Sequence, residues 1–505
     1  MSYDFAMTPQ RRQQVELIAN DWRLTPATLA HKISRGAWIP ASHLLYISSR
    51  VAKSIARGNA RIIISAPPRH GKSELTSVYT PTWVLERFPW MKVILAGYGA
   101  DLTEGFSRRV RDNFTDAANL PLLNTRIRRD AQKVDAFLTE QGGGMYAVGL
   151  GGAITGRGAH VLLIDDYIKE IKEALSPAYR DYVWNWFVTT AFTRLEPNGS
   201  CIIIATRWHS DDLIGRILAN FPGQWEYIEI PAEAEENDIL GRPVGTALFP
   251  ERYSIEKLQE IKEVLGSVFY KALYQQKPVD ESKKLTDGKW LKIIDNLPSY
   301  DIKQYQWVRM WDLAATADGG DYTVGTLVGY HKETGNCVIG NVVRRQLSPA
   351  NVEFLVRGVA QQDGYDTKQR IEQEPGSAGK SIIAHYKANV LNEYNTDGIP
   401  TVQNKLVRAQ PFLAAAESGK VSLLAASWNE AFIREFDSFP GGPNDDQVDT
   451  GAAGYSFLSG KKNFSAAWGR SKTSNTANSN AIKRAQFNAS LSGVRTRGAT
   501  FGRRY

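Results

Sequence analysis

Ala66-Pro67-Pro68-Arg69-His70-Gly71-Lys72-Ser73 follows the apolar run Ile62-Ile63-Ile64 and precedes a helix expected to start near Ser73. That succession is a strand, a loop and a helix, with Gly-Lys-Ser at the turn. Such a loop aims backbone N–H groups and a helix N-terminus at phosphate oxygens. Residues Pro68, Arg69, His70, Gly71, Lys72 and Ser73 are therefore expected to hold a nucleoside triphosphate, with ATP as the expected ligand. Lys72 is expected to reach the β- and γ-phosphates, and the Ser73 hydroxyl to hold Mg²⁺. The usual first glycine of this pattern is replaced by Ala66, and two prolines stiffen the loop.

Working outward, Val161-Leu162-Leu163-Ile164-Asp165-Asp166 is an apolar run ending in two carboxylates. It reads as a buried parallel strand with acids at its C-terminal end. Asp165 is expected to orient the metal and Asp166 to activate the attacking water. A third run, Cys201-Ile202-Ile203-Ile204-Ala205-Thr206-Arg207, puts Thr206 at a strand end where a γ-phosphate is sensed. The loop Gly151-Gly152-Ala153-Ile154-Thr155-Gly156-Arg157-Gly158 carries one arginine just before the acid strand. Arg157 reads either as a phosphate-stabilising finger that can reach a neighbouring subunit or as an ordinary solvated charge.

A chain of 505 residues is too long for a single core, so two or three domains are expected. No stretch of 18 apolar residues occurs, which argues against a transmembrane helix and a membrane role. Met1-Ser2-Tyr3-Asp4-Phe5 lacks a basic region followed by an apolar one, so a secretory leader is not expected. Cys201 and Cys337 sit in no metal-spacing motif and read as reduced core residues of a cytoplasmic protein. The formal charge of +8 is uneven: residues 461–505 hold ten Lys and Arg and no acid, which leaves about −2 on the rest. That tail suits phosphates or an acidic partner, and its Ser, Asn and Thr content predicts disorder.

The pattern is α/β. Residues 1–45 read as helical, through Gln13, Val15, Leu17, Ile18 and Trp22, with Ser42 as the cap of a further helix. Residues 46–276 alternate strands and helices, with strands expected at 61–65, 92–96, 145–148, 161–164, 201–206 and 225–230 in a mostly parallel sheet. Residues 277–305 are polar and broken and read as a linker. From Trp307 a second α/β pattern begins and extends to 460: strands at 308–313, 323–330 and 337–345, a helix from Pro349, and a strand near 370–373. Three antiparallel strands, a helix and a further strand suggest an RNase H-like sheet.

This second region holds three acidic clusters. Asp312 ends its first strand, with Asp318 and Asp321 in the loop beyond. Glu372 and Glu374 lie at the end of a later strand, on one face by their spacing. Asp445, Asp446 and Asp449 stand at a helix start. Carboxylates without His or Cys suit Mg²⁺ or Mn²⁺. Two such ions can activate water and stabilise the leaving oxygen at a phosphodiester.

Taken together, Pro67–Ser73, Ile154–Gly158 leading into Leu163–Asp166, Ala205-Thr206-Arg207-Trp208-His209, Trp311-Asp312-Leu313-Ala314, Glu372–Lys380 and Asp445-Asp446-Gln447-Val448-Asp449 resemble a large terminase subunit of a tailed bacteriophage over about residues 40–460. The resemblance implies a P-loop (ASCE-type) ATPase domain followed by an RNase H-like nuclease domain. It implies a motor that pumps double-stranded DNA through the portal protein into a procapsid and cuts concatemeric DNA. Lys72, Ser73, Asp165, Asp166 and Thr206 take the ATPase roles, and Arg157 that of a finger acting in trans. Asp312, Glu374 and Asp446 match the nuclease acids, with Asp445 auxiliary; Glu372 against Glu374, and Asp445 against Asp446, stay open. The resemblance further implies a small terminase subunit as partner, a homo-oligomeric ring of five, and work in the host cytoplasm. A helicase–nuclease of repair or recombination is the alternative, and it requires a second ATPase lobe before the nuclease.

Overall fold

In the computed structural model, residues 21–280, 284–297, 302–314, 322–401 and 404–460 are described. The amphipathic residues 13–18, Asp318, Asp321 and the basic tail lie outside them. Two sheets organise the chain, and both belong to one unit spanning residues 1–461.

The first sheet has eight strands in the order β3-β4-β5-β2-β6-β7-β1-β8. They are β1 (Arg61–Ser65), β2 (Lys92–Gly97), β3 (Ile127–Gln132), β4 (Ala136–Thr139), β5 (Gly144–Gly149), β6 (Ala159–Asp165), β7 (Leu195–Ala205) and β8 (Glu226–Glu229). The six strands expected from the apolar runs are all present and pair in parallel. Ile62–Ile64, Val161–Ile164 and Ile202–Ile204 are fully buried, as continuous apolar runs in a sheet covered on both faces must be. The pair β3 and β4 was not legible: Arg128, Arg129 and Asp130 are exposed on an antiparallel edge and give no alternating pattern.

Helix Ser42–Arg57 packs His43, Leu44, Ile47, Val51 and Ile55 into the core beside the sheet. Ser42 does not cap it: the N-cap is Ala41, without a side-chain hydrogen bond. Ahead of it, Thr25 and Thr28 form a reciprocal capping box at helix Pro26–Ile33.

The second sheet has seven strands in the order β14-β13-β10-β11-β12-β15-β9. These are β9 (Lys292–Ile294), β10 (Tyr305–Asp312), β11 (Thr323–His331), β12 (Cys337–Arg345), β13 (Lys368–Gln373), β14 (Thr396–Pro400) and β15 (Val421–Leu424). β10, β11 and β12 form the antiparallel meander, and β13 returns parallel to β10 after helix Pro349–Asp363. Strand β9 comes from the stretch read as a linker. Gly288 N donates to Asp437 Oδ1 at 2.6 Å, so this stretch is built into the second sheet's own core. Strands of three to five residues such as β9, β14 and β15 carry too little pattern to be read in advance.

Between β8 and β9 the described residues hold helix Ile255–Gln275 and no strand of either sheet, which leaves no room for a second ATPase lobe. That helix bends at Gly266, where φ is +73° and ψ 161°. The bend seats helix Lys405–Glu417 of the second region: Gln410 Nε2 donates to Val264 O (3.2 Å) and Leu265 O (3.0 Å), and Ser267 N donates to Glu417 Oε2 (2.7 Å). A Cβ on Gly266 would lie 3.3 Å from Ala414. Gly266→Ala combines a backbone region open essentially to glycine alone with this close approach. We expect it to cost about 1–3 kcal/mol; calorimetry checks this, and an unchanged Tm contradicts it. No helix among the described residues is long and apolar enough to cross a membrane. Cys201 and Cys337 are buried free thiols, each pushed above its ordinary pKa by that burial.

Candidate active sites

Strands β6, β7 and β1 are neighbours, so their C-terminal ends bring Asp165, Thr206 and the loop before Ser73 to one edge of the first sheet. Ligand crevices in open parallel sheets form at such edges. The loop turns through left-handed backbone at Arg69 (φ +61°) and Gly71 (φ +86°). A Cβ on Gly71 would meet Leu44 Cδ1 at 3.0 Å, so glycine is needed there twice over.

Lys72 is only 5% exposed; its Nζ donates to Thr206 Oγ1 at 2.8 Å and lies 3.5 Å from Asp166 Oδ2. Thr206 N donates to Asp166 Oδ1 at 3.1 Å, and the Thr206 hydroxyl donates to Ala66 O at 3.3 Å. Ser73 Oγ donates to Asp165 Oδ1 at 3.1 Å, and Ser77 Oγ to Asp165 Oδ2 at 2.5 Å. Asp165 is fully buried, and its carboxyl is pushed up to about 7 by burial and by the neighbouring Asp166. Asp166 itself sits at φ +41°. Ser77 was missed by sequence reasoning, although its spacing one turn beyond Ser73 on a helix was a usable signal.

Two of the residues singled out in the sequence, His70 and Arg157, make contacts of their own away from the Lys72 crevice. The His70 side chain does not face the crevice: it is fully buried beneath the loop, Nδ1 donates to Pro68 O at 2.9 Å, and the ring stacks on Tyr253 at 4.7 Å. Only its backbone remains for a ligand. His43, which sequence reasoning passed over, donates from Nε2 to His70 O at 2.8 Å and so pins the loop from behind. Arg157 stacks on Tyr146 of β5, 4.2 Å from the ring centre, and β5 lies four strands from β1.

Burial lowers His43 to about 4 and His70 to about 3. An unfolded histidine takes up its proton near pH 6.5, before either folded one does. Their contribution to stability is therefore intact above that pH and is lost as the pH falls toward about 4. Near pH 5 we expect each to cost about 2 kcal/mol. The fall in Tm between pH 7 and 5 should be shallower in His43→Gln than in the wild type; equal slopes in scanning calorimetry contradict this.

The second site forms where β10, β13 and helix Asp446–Ser459 meet. Along β10, Trp311 points into one core, where Nε1 donates to Gln369 Oε1 at 2.9 Å. Val308, Met310 and Asp312 alternate to the opposite face. Helix Asp446–Ser459 crosses that face, with Gly454 against Val308 and Val328, and Thr450 Oγ1 2.7 Å from Thr326 Oγ1. Trp311 pairs with Ile371 in parallel register, so Glu372 follows beside Asp312. Glu435 fixes the helix start: its Oε1 accepts from Gln447 N at 2.6 Å and Val448 N at 3.2 Å.

Asp312 is pushed up to about 7, first by burial and then by the charges of Glu372, Asp446 and Asp449. Asp449 is raised to about 7 by burial, opposed by Arg408 and Lys405. Its Oδ1 is buried and has no hydrogen-bond partner. Glu374 lies one residue beyond β13 and is exposed, while Glu372, on β13, lies beside Asp312. Asp445 is the residue before the helix and pairs with Lys405 at 2.7 Å. Arg408 reaches Glu372 at 2.9 Å. Among the described residues no three His, Cys, Asp or Glu side chains converge in metal-holding geometry as they stand. The donor chemistry nevertheless fits hard divalent ions: all the groups are carboxylates, they repel one another, and one buried oxygen is unsatisfied.

Comparison with known families gives this pair of sites its context. Residues 63–292 match the T4likevirus-type N-terminal domain of terminase large subunits, and residues 309–456 match the terminase RNaseH-like domain. The chain belongs to the large terminase family. As a large terminase it joins an ATPase to a nuclease, and it works in ATP-driven packaging of viral double-stranded DNA and in cleavage of that DNA. Among solved structures, the chain is similar to the large terminase of a thermophilic bacteriophage in complex with ADP (13% identity, TM-score 0.43, 80% of this chain and 95% of that one). It is also similar to the large terminase of bacteriophage HK97 (12% identity, TM-score 0.33, 81% and 93%). The Mn-bound large terminase nuclease domain of bacteriophage SPP1 matches a part of this terminase (12% identity, TM-score 0.26, 34% and 99%). No curated protein matches the terminase chain.

Proposed function

We propose that this terminase hydrolyses ATP at the Lys72 loop and cuts DNA at the Asp312 cluster, as two chemically separate sites in one chain. The observation that carries this reading is the presence of two separate clusters: Lys72, Ser73, Asp165 and Thr206 at one sheet edge, and Asp312 and Glu372 of the second sheet with Asp446 and Asp449 of the helix crossing it. Lys72 exchanges its contacts with Thr206 and Asp166 for the β- and γ-phosphates. The loop backbone cradles those phosphates. Asp166, released from Lys72, takes the proton of the attacking water. Ser73 and Asp165 would hold Mg²⁺, which would supply neutralisation of the charge that builds on the phosphates. Thr206, bonded both to Lys72 and to the loop through Ala66 O, reports the state of the γ-phosphate to the chain beyond β7. Arg157, stacked on Tyr146 four strands from β1, serves the site of a neighbouring subunit.

In the nuclease, Asp312, Glu372 and Asp446 are the principal ligands, with Asp449 and Asp445 alongside them. These carboxylates would hold two Mg²⁺ or Mn²⁺ ions, which would supply water activation and stabilisation of the leaving oxygen. The terminase acts as a ring, a pentamer on the portal protein of a procapsid in the host cytoplasm, with a small terminase subunit choosing the DNA. The test is a DNase-protection assay with procapsids, portal, small subunit and linear duplex DNA. ATP-dependent protection is expected; protection that needs no ATP, or none with ATP present, contradicts the motor reading.

A further inference from the structure

The nuclease acids carry their own counter-ions. Helix Lys405–Glu417 is capped by Asn404, whose Oδ1 accepts from Leu406 N at 2.9 Å. From its first residue, Lys405 Nζ lies 2.7 Å from Asp445 Oδ1 and 3.5 Å from Asp449 Oδ2. Three residues on, on the same helix face, Arg408 reaches Glu372 Oε1 at 2.9 Å and Asp449 Oδ2 at 3.4 Å. Asp449 thus shares one oxygen between two cations, while its other oxygen is buried and unsatisfied. The Lys405 side chain is 51% exposed, against 18% for Arg408, so Lys405 is the cation able to leave. The helix itself is held at its far side by Gln410 and Glu417 against the bend at Gly266, which fixes where the two cations enter.

We propose that Lys405 is a positioning residue of the nuclease: a built-in counter-ion that holds Asp445 and Asp449 until a divalent ion displaces it. The inference rests on reading the acid cluster as the metal site. An ammonium and a divalent ion compete for the same carboxylate oxygens, so Lys405 sets how much metal the nuclease needs. The carboxylates it pairs with are those of Asp445 and Asp449. Glu372 keeps Arg408 as its partner throughout.

The test is isothermal titration of the full chain with Mn²⁺ in the absence of nucleotide. The binding component of interest is the one that Asp312→Asn abolishes. A unit charge this close, discounted for the exposure of Lys405, is worth about tenfold in ion affinity. Lys405→Gln should therefore bind Mn²⁺ about tenfold more tightly than the wild type, and Lys405→Arg, which keeps the charge, should stay with the wild type. Unchanged or weaker binding in Lys405→Gln, with an unaltered Tm, overturns the proposal, because Lys405 would then be idle or would be arranging the acids for the ion. An isotherm that Asp312→Asn leaves untouched has a separate meaning: it removes the metal site itself from these acids, and the proposal with it.

Discussion

Lys72→Ala is expected to lower ATP turnover by at least about 10²- to 10³-fold, the usual effect of removing one preorganised group from a developing charge. Lys72 is buried with its ammonium already held by Thr206 and Asp166, so the fold fixes its position at the sheet edge. Lys72→Arg should not rescue the rate. A planar fork needs more room than a buried ammonium, and it would meet Thr206 and Asp166 differently. Loss of the lysine also leaves Asp165 and Asp166 without their nearest positive charge, so Tm should fall modestly in the variant. Phosphate release at saturating ATP measures the main effect. A turnover within tenfold of wild type in folded Lys72→Ala removes the assigned loop from the chemistry.

Asp312→Asn is expected to lower DNA cutting at least about a hundredfold, since it removes a ligand charge from a site built of carboxylates. The fold should tolerate it well. Burial and three neighbouring acids already hold Asp312 up to about 7, so the ionised form is costly without metal. The neutral amide relieves that repulsion, and Tm without metal should stay level or rise. Divalent ions should raise the Tm of the wild type through linkage to the folded state, and this gain should shrink in the variant. A variant that cuts DNA normally, or one that gains as much Tm from Mn²⁺ as the wild type, contradicts the assignment of Asp312.

Much of this was legible because the chemistry sits at the ends of buried apolar runs. Ile62–Ile64, Val161–Ile164 and Ile202–Ile204 admit no reading but strands, and the polar residues directly after them are held at the sheet edge. Val308–Asp312 and the turn after β11 gave the second meander in the same way. What escaped depends on contacts between distant residues. Glu372 and Glu374 share a pleat side in the sequence, and only the end of β13 at Gln373 separates them. His43 lies 27 residues from His70 and reads as one more core position until its Nε2 is seen on the loop carbonyl. Lys405 and Arg408 open a helix that the sequence offers no reason to set beside Asp449. Arg157 was legible as a loop arginine, but its stacking on Tyr146 is a property of the folded sheet. The short edge strands failed for a simpler reason, since three to five residues with Lys, Asp, Gly or Pro among them carry no period.

The most direct test of two independent sites is to measure both activities on the same preparations of Lys72→Ala and Asp312→Asn. ATP hydrolysis would be followed by phosphate release, and plasmid cleavage with Mg²⁺ or Mn²⁺ would be measured without nucleotide. The structure predicts a crossed pattern: Lys72→Ala cuts DNA but does not turn over ATP, and Asp312→Asn turns over ATP but does not cut. Loss of both activities in either folded variant would contradict the division of labour between the two sheets.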